Sequence, residues 1–209
     1  NERMRIADDM HDDLGAGLSG LKLRSEMALR VEQDPRKREL LTSMSASAGE
    51  LIDSMREIIW TMSADQSGIK DLVVYAGNHA RKYCEENGIT LHVQQEGEWP
   101  GAVLSSEQRR NIFLVIKEAL HNTVKHAHAT RVDLRMSYSR GLLVEIQDDG
   151  IGLPPASDQA VGNGLRTMAK RITALGGTFS IEARNGTLIR FSVPASRANE
   201  GSIDRSPSA

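Results

Sequence analysis

The chain has little of several features that restrict where a protein resides and what it binds. Cys84 is the one cysteine among 209 residues, which excludes an internal disulfide and a multi-cysteine metal site and favours a reducing compartment. No apolar run approaches the roughly 18 residues that a membrane-spanning helix needs. The formal net charge is only −2, so no overall basic field attracts nucleic acid or anionic lipid. We therefore expect a cytoplasmic chain without nucleic-acid or membrane contact.

Two helices are predicted in the first third of the chain. Apolar residues recur at helical spacing from Arg3 to Val31, and Asp34-Pro35 then interrupts the pattern. A second apolar pattern has the alternating steps of a heptad, at Leu41, Met44, Ala48, Leu51, Met55, Ile58 and Met62. Because two helices cannot surround two seams, we predict a homodimeric four-helix bundle. A monomeric hairpin packed on the rest of the chain is the alternative.

The turn-forming residues at 65–68 mark a domain boundary. We predict a dimerisation domain at 1–65, a linker at 66–70, a second domain at 71–194 and a disordered tail at 195–209. Helical patterns in the second domain cover 72–87, 105–127 and 165–175, and strand patterns cover 89–95, 131–138, 142–147, 178–183 and 188–193. This order predicts an α+β fold, with a mostly antiparallel sheet and helices on one face. Because the sequence begins at Asn1 in a helical pattern, we expect it to be a piece of a longer protein.

A polar stripe runs along the predicted helix at 105–127. Glu118, Asn122 and Lys125 are spaced by four and three residues, and His126 lies at the edge of the same face. An Asn side chain suits a Mg²⁺ ion held chiefly by phosphates and water, and Lys supplies a point charge for phosphate. The stripe therefore fits ATP, whereas a solvated helix face is the ordinary explanation of such a pattern.

Two glycine-bearing motifs follow. The motif DDGIG at 148–152 comes directly after a strand, where a buried carboxylate can accept a hydrogen bond from the amino group of adenine. An ordinary Asp-Gly turn is the alternative. The motif GNGL at 162–165 precedes a helix, whose free backbone N–H groups attract phosphate, although it is neither a P-loop nor a Rossmann fingerprint.

The ordered set EALHNTVKHAHA, DDGIGL, GNGL and NGTLIRFSVP resembles the ATP-binding fold that histidine kinases share with gyrase, the chaperone Hsp90 and the mismatch-repair protein MutL. The resemblance implies that ATP and Mg²⁺ bind here, with Asn122 on the metal. Glu118 is implied to organise metal-bound or reactive water, and Asp148 to select adenine. The other residues implied at the nucleotide are Lys125, His126, Gly150, Gly152, Gly162, Gly164, Leu165 and Thr187.

The first helix, ERMRIADDMHDDLGAGLSGLKL, resembles the phospho-acceptor helix of the histidine kinase subfamily that includes nitrate and membrane-fluidity sensors. This resemblance implies phosphorylation of His11, with Asp12 as the orienting base, and transfer to an aspartate of a response-regulator receiver domain. It also implies a full-length protein at the inner membrane. Relatives with strong phosphatase activity often carry Gln five residues after the histidine, where this chain has Ala16. An alanine cannot position water by a hydrogen bond, so phosphatase activity is expected to be weak.

These motifs favour a dimeric ATP:protein-histidine kinase. One alternative is an ATP-hydrolysing machine of the gyrase or Hsp90 type, in which Glu118 activates water. The other is a dimerisation scaffold with a relic ATP site, against which the intact Asn122, Asp148, Gly150 and Gly162 argue.

Overall fold

The computed structural model describes residues 2–62, 68–99, 104–153 and 163–194, with the backbone alone for residues 2–13, 57, 58, 61, 62 and 163. The chain divides into two compact units, Asn1–Asp65 and Gln66–Ala209. The tail predicted at 195–209 lies outside the described residues.

The first unit consists of two helices, α1 at Glu2–Val31 and α2 at Pro35–Met62. Asp34 caps α2, because its carboxylate accepts a hydrogen bond of 2.9 Å from the backbone N–H of Arg36. Pro35 stands at the first helical position, where its missing N–H costs nothing. The Arg38 guanidinium donates to the carbonyl oxygens of Leu29 and Glu32 at the end of α1. The interruption predicted at Asp34-Pro35 is therefore the connection between two helices that pack on each other.

The heptad residues of α2 divide between two faces. Ala48 and Met55 are buried, and an added Cβ at Gly15 of α1 would lie only 2.9 Å from the Met55 methyl group. Met44 and Leu51 are instead 38% and 55% exposed. One face of α2 therefore packs on α1, while a second apolar face remains open in the single chain.

Where the structure describes it, the second unit combines three α-helices and a π-helical turn with one sheet. The helices are α3 at Ile69–Glu86, α4 at Ser106–Asn122 and α5 at Asn163–Ala174. The strands are β1 at Thr90–Glu96, β2 at Arg131–Tyr138, β3 at Gly141–Asp148, β4 at Thr178–Ala183 and β5 at Thr187–Pro194. Their order in the sheet is β1-β2-β3-β5-β4. Among the described strands, only β1 and β2 run parallel, which confirms the predicted α+β fold with a mostly antiparallel sheet.

The two faces of the sheet differ in polarity. Along β2 and β3 every second residue is buried, at Val132, Leu134 and Met136 and at Leu142, Val144 and Ile146. These residues form a core with the buried faces of the helices, as expected from the period of two in a strand. The other face carries ion pairs, such as Arg190 Nε with Glu145 Oε1 at 2.6 Å. Helices therefore cover one face, and the second face is polar.

Several element boundaries differ from the predictions by one or two residues, and two differ by more. Helix α3 begins at Ile69 rather than Leu72, because the Asp71 carboxylate accepts a 2.9 Å hydrogen bond from the backbone N–H of Gly68. Residues 69 and 70, which were predicted to belong to the linker, thus form the first turn of α3. The helix predicted at 105–127 ends as an α-helix at Asn122 and continues as a π-helical turn at Thr123–Ala127.

Candidate functional site

A cavity of about 640 Å³ lies beside the end of β3. Residues from α4, the π-helical turn, α5 and three strands or their ends line it. They are Ala119, Asn122, Thr123, His126, Ala127, Asp148, Ile151, Gly152, Leu153, Gly164, Leu165, Ile181, Thr187 and Ile189. A volume of this size is typical of a pocket for a small molecule.

Asp148 is the buried carboxylate of this cavity. It is the last residue of β3 and is only 5% exposed. Its Oδ1 accepts hydrogen bonds of 3.0 Å from the backbone N–H groups of Gly150 and Thr187. Among the described residues, no donor reaches its second oxygen, Oδ2. The backbone therefore fixes one oxygen and leaves the other to accept a hydrogen bond from a ligand.

Gly150 brings the loop after β3 against the end of the π-helical turn. An added Cβ at Gly150 would overlap the carbonyl oxygen of Ala127, so no other residue fits without a shift. The backbone N–H of Ile151 donates to that same carbonyl oxygen at 2.9 Å. The glycine thus permits a direct backbone contact between two walls of the cavity.

The wall formed by α4 differs from the predicted stripe in one respect. Asn122 and His126 line the cavity, whereas Lys125 is exposed and is not among the lining residues. The π-helical turn adds residues per turn and so changes the direction of the side chains that follow Asn122. Glu118 is half-buried, and its carboxylate lies so close to Gly164 that a Cβ there would overlap Oε1.

The structure brings together seven of the residues predicted at the nucleotide. These are Asn122, His126, Asp148, Gly152, Gly164, Leu165 and Thr187. Glu118 and Gly150 do not line the cavity but lie next to residues that do: Glu118 lies against Gly164, and Gly150 lies against Ala127. Gly162 lies outside the described residues. His11 and Asp12 lie in α1 of the other unit, where the structure describes the backbone alone.

Sequence reasoning missed the apolar lining of the cavity. Ile151, Leu153, Ile181 and Ile189 supply apolar walls, which suit the faces of a purine ring. Thr123 also lines the cavity, with its hydroxyl donating to the carbonyl of Ala119 at 3.1 Å. The strand pattern marks Ile181 and Ile189 as apolar, but it does not separate a pocket residue from a core residue.

The sequence patterns also do not predict the hydrogen-bond partners of Asp149. Its Oδ1 accepts hydrogen bonds of 2.8 Å from the backbone N–H groups of Thr130 and Arg131, and its Oδ2 accepts one of 2.7 Å from the Thr130 hydroxyl. These bonds, that of the Thr130 hydroxyl first, lower the pKa of Asp149 from 3.8 to about 2.

The described parts of the chain contain neither a metal-binding cluster of side chains nor a membrane-spanning helix. No group of three or more His, Cys, Asp or Glu side chains there is arranged to hold a metal ion. None of the helices within these ranges combines the length and the apolar character that a membrane span requires.

Comparison with known families assigns both units. A family model described as histidine kinase matches residues 2–67. A second model, described as histidine kinase-, DNA gyrase B- and HSP90-like ATPase, matches residues 107–197. The two matches therefore fall on the helical unit and on the sheet-bearing unit in turn.

Curated relatives match along nearly the whole chain. The chain is 31% identical over 200 residues to the signal transduction histidine-protein kinase/phosphatase UhpB of Salmonella typhimurium, covering 92% of this chain and 38% of that protein. It is 32% identical over 203 residues to the sensor histidine kinase YvfT of Bacillus subtilis, covering 92% and 50%. It is 30% identical over 199 residues to the sensor histidine kinase DesK of the same organism, covering 92% and 51%. The chain thus spans about half the length of these relatives, or less.

Solved structures share the fold. The histidine kinase domain of a blue-light activated histidine kinase from Erythrobacter litoralis superposes with a TM-score of 0.56 at 20% identity, covering 86% of this chain and 94% of that one. The histidine kinase AdeS of Acinetobacter baumannii gives a TM-score of 0.52 at 15% identity, covering 89% and 96%. Since both units match histidine kinase models and the curated relatives are sensor histidine kinases, the chain belongs to the histidine kinase family.

Proposed function

We propose that this chain is the catalytic part of a two-component sensor kinase, which uses ATP to phosphorylate His11 and then passes the phosphoryl group to a response regulator. The observation that carries the proposal is Asp148, a buried carboxylate held by two backbone amides at the edge of a 640 Å³ cavity. The names of the curated relatives support the same activity. The single cysteine favours the cytoplasm as the compartment of this reaction.

The two ends of the cavity suit the two ends of ATP. Asp148 accepts a hydrogen bond from the amino group of adenine through Oδ2, and the apolar walls cover the faces of the ring. Asn122 and His126 line the α4 side and interact with the phosphates. Lys125, exposed next to His126, adds positive charge outside the lining.

The donor set fits a Mg²⁺ ion that arrives with the nucleotide. Asn122 offers a neutral amide oxygen to an ion otherwise held by phosphate and water oxygens. Glu118, whose carboxylate lies against Gly164 of the lining, would hold a water of that ion. When bound, Mg²⁺ neutralises charge on the phosphates.

The phosphoryl group moves from ATP to a histidine nitrogen. Nε2 of His11 forms a bond to the γ-phosphorus, the bond from that phosphorus to the bridging oxygen breaks, and ADP leaves. A carboxylate at Asp12 that accepts the Nδ1–H hydrogen bond keeps the Nε2 lone pair available. In the second step a receiver-domain aspartate takes the phosphoryl group from Nε2.

The open apolar face of the helical unit supports a homodimer. Four large apolar side chains are exposed at seven-residue spacings on the two helices, at Leu14, Leu21, Met44 and Leu51. A second copy of the unit covers such a face in a four-helix bundle.

Labelling with γ-phosphate-labelled ATP tests the proposed function. We expect acid-labile, base-stable label on the protein, which is the stability of phosphohistidine, and its loss upon addition of a receiver domain. Release of free phosphate without label on the protein would instead support the ATPase alternative. ATP binding without label and without phosphate release would support the scaffold.

A further inference from the structure

Asp149 lies next to the adenine-selecting residue, yet it does not line the cavity. Its carboxylate is exposed, and it accepts three hydrogen bonds from two consecutive residues, Thr130 and Arg131. All three bonds have lengths of 2.7 to 2.8 Å, as is usual when the acceptor is charged. The backbone N–H of Asp149 also donates to the carbonyl of Arg131 at 3.2 Å. Asp149 thus binds the start of β2 on both its side-chain and its backbone atoms.

These bonds join two segments that are far apart in sequence. Thr130 follows the π-helical turn by three residues, and Asp149 follows β3 directly. The π-helical turn contains His126 and directly follows Asn122 of α4. Both residues line the side of the cavity that is proposed to bind phosphate. We call the three bonds from Thr130 and Arg131 to the Asp149 carboxylate the Asp149 clamp.

The adenine side of the cavity is held by a different set of bonds. Asp148 is fixed by the backbone N–H groups of Gly150 and Thr187, and β3 pairs with β5 from Gly141 to Gln147. None of these contacts passes through Thr130 or Arg131. Loss of the Asp149 clamp is therefore expected to leave Asp148 in place while loosening the start of β2. The backbone bonds from Thr90 to the Thr130 carbonyl and from Ile151 to the Ala127 carbonyl remain.

We propose that Asp149 is a positioning residue, which sets the distance between the adenine end of the cavity at Asp148 and its phosphate end at Asn122 and His126. The inference rests on the proposed function, because it assigns the two ends to adenine and to phosphate. ATP binds both ends, whereas adenosine binds only the first. The ratio of ATP affinity to adenosine affinity therefore reports the distance between the ends.

The test measures both affinities by NMR titration of the whole chain, with Mg²⁺ present, in wild type, Asp149→Ala, Asp149→Asn and Glu96→Ala. We expect the ratio to fall about tenfold or more in Asp149→Ala, since three hydrogen bonds are lost. We expect it to stay within about threefold in Asp149→Asn, because an amide oxygen still accepts both backbone N–H groups. Glu96, an exposed carboxylate at the end of β1 that pairs with Arg135 at 3.6 Å, touches no residue of the clamp; it is the control and should leave the ratio unchanged.

Hydrogen exchange gives a second readout. The amides of Thr130 and Arg131 should exchange faster in Asp149→Ala than in wild type. If Asp149 contributes to stability alone, its loss lowers the ATP and adenosine affinities by the same factor. An unchanged affinity ratio in a folded Asp149→Ala chain therefore overturns the inference. Unchanged hydrogen exchange at these two amides overturns it as well. If Asp149→Ala does not fold, Thr130→Val removes one hydrogen bond of the clamp instead. A fall of about twofold in the ratio of ATP affinity to adenosine affinity then supports the inference, and an unchanged ratio overturns it. A wild-type chain that does not bind ATP contradicts the proposed function itself, which separates the two failures.

Discussion

At the scale of single residues, Asp148 and Asp149 are adjacent carboxylates with different surroundings. Asp148 is buried at the cavity, while Asp149 is exposed and binds the start of β2. Successive side chains along a strand point to opposite faces of the sheet, and helices cover only the face toward which Asp148 points. Asp149, directly after β3, is therefore exposed. The two residues therefore permit separate tests.

Asp148→Asn should weaken ATP binding about tenfold or more. The amide oxygen can still accept from Gly150 and Thr187, but the amide nitrogen then points a donor at the donor group of adenine. Calorimetric titration of ATP measures the loss, with half-buried Asp133→Asn on β2 as the matched control. Equal ATP affinity in wild type and Asp148→Asn would contradict the assignment of adenine to this residue.

The Asp149 clamp should make the stability of the second unit depend on acid pH. The pKa of Asp149 lies below its ordinary value of 3.8, at about 2, so the folded form favours the ionised carboxylate. The stabilisation is present above about pH 4 and is lost as the pH falls toward 2. The difference in urea midpoint between wild type and Asp149→Ala should therefore shrink as the pH falls from 5 to 3. A difference that stays constant over this range would show that the ionised form is not what stabilises the fold.

Ala16 is exposed on α1, five residues after His11. Because its methyl group cannot orient water, we expect slow loss of the phosphoryl group from a phosphorylated response regulator. Ala16→Gln should accelerate that loss about tenfold or more and keep autophosphorylation. Decay of purified phospho-regulator with ADP present is the measurement, with exposed Ser19→Gln as the matched control. If the phospho-regulator decays as fast with wild type as with Ala16→Gln, this expectation is contradicted.

At the scale of elements, the sequence predicts the two hairpin helices and the five strands, because apolar residues repeat with the periods of 3.6 and 2. The division of the heptad into a buried face at Met55 and an open face at Leu51 could not be predicted. Both faces are apolar, and only the packing of α1 tells them apart. The π-helical turn was missed for a similar reason, since its residues have the composition of an ordinary helix end.

The two faces of α2 should respond differently to a charge. Leu51→Asp should leave the hairpin helical and raise the dimer dissociation constant about 100-fold or more, since each dimer loses two buried leucines. Met55→Asp should instead reduce helix content, because its side chain is buried within one chain. Sedimentation and circular dichroism measure the two effects, and exposed Ala46→Asp, about 1.4 turns before Leu51, is the control. A Leu51→Asp chain that stays dimeric would place the dimer contact elsewhere.

At the scale of the whole molecule, the proposed acceptor His11 and the proposed nucleotide cavity belong to different units. The sequence motifs name most of the polar residues that the cavity brings together, because glycines, Asn and Asp stand out in a sequence. They do not name its apolar walls or the partners of Asp149, because such contacts arise from the pairing of distant strands. The order of the motifs along the chain nevertheless places the acceptor before the ATP-binding unit.

The central claim is that His11 receives the γ-phosphoryl group of ATP bound in the second unit. The most direct measurement compares wild type with His11→Gln for acid-labile label from γ-labelled ATP and for ATP affinity. We predict label on wild type, none on His11→Gln, and ATP affinities within about twofold, because the substitution lies outside the nucleotide-binding unit. Acid-labile label that persists on His11→Gln would contradict the claim and assign the acceptor to another residue.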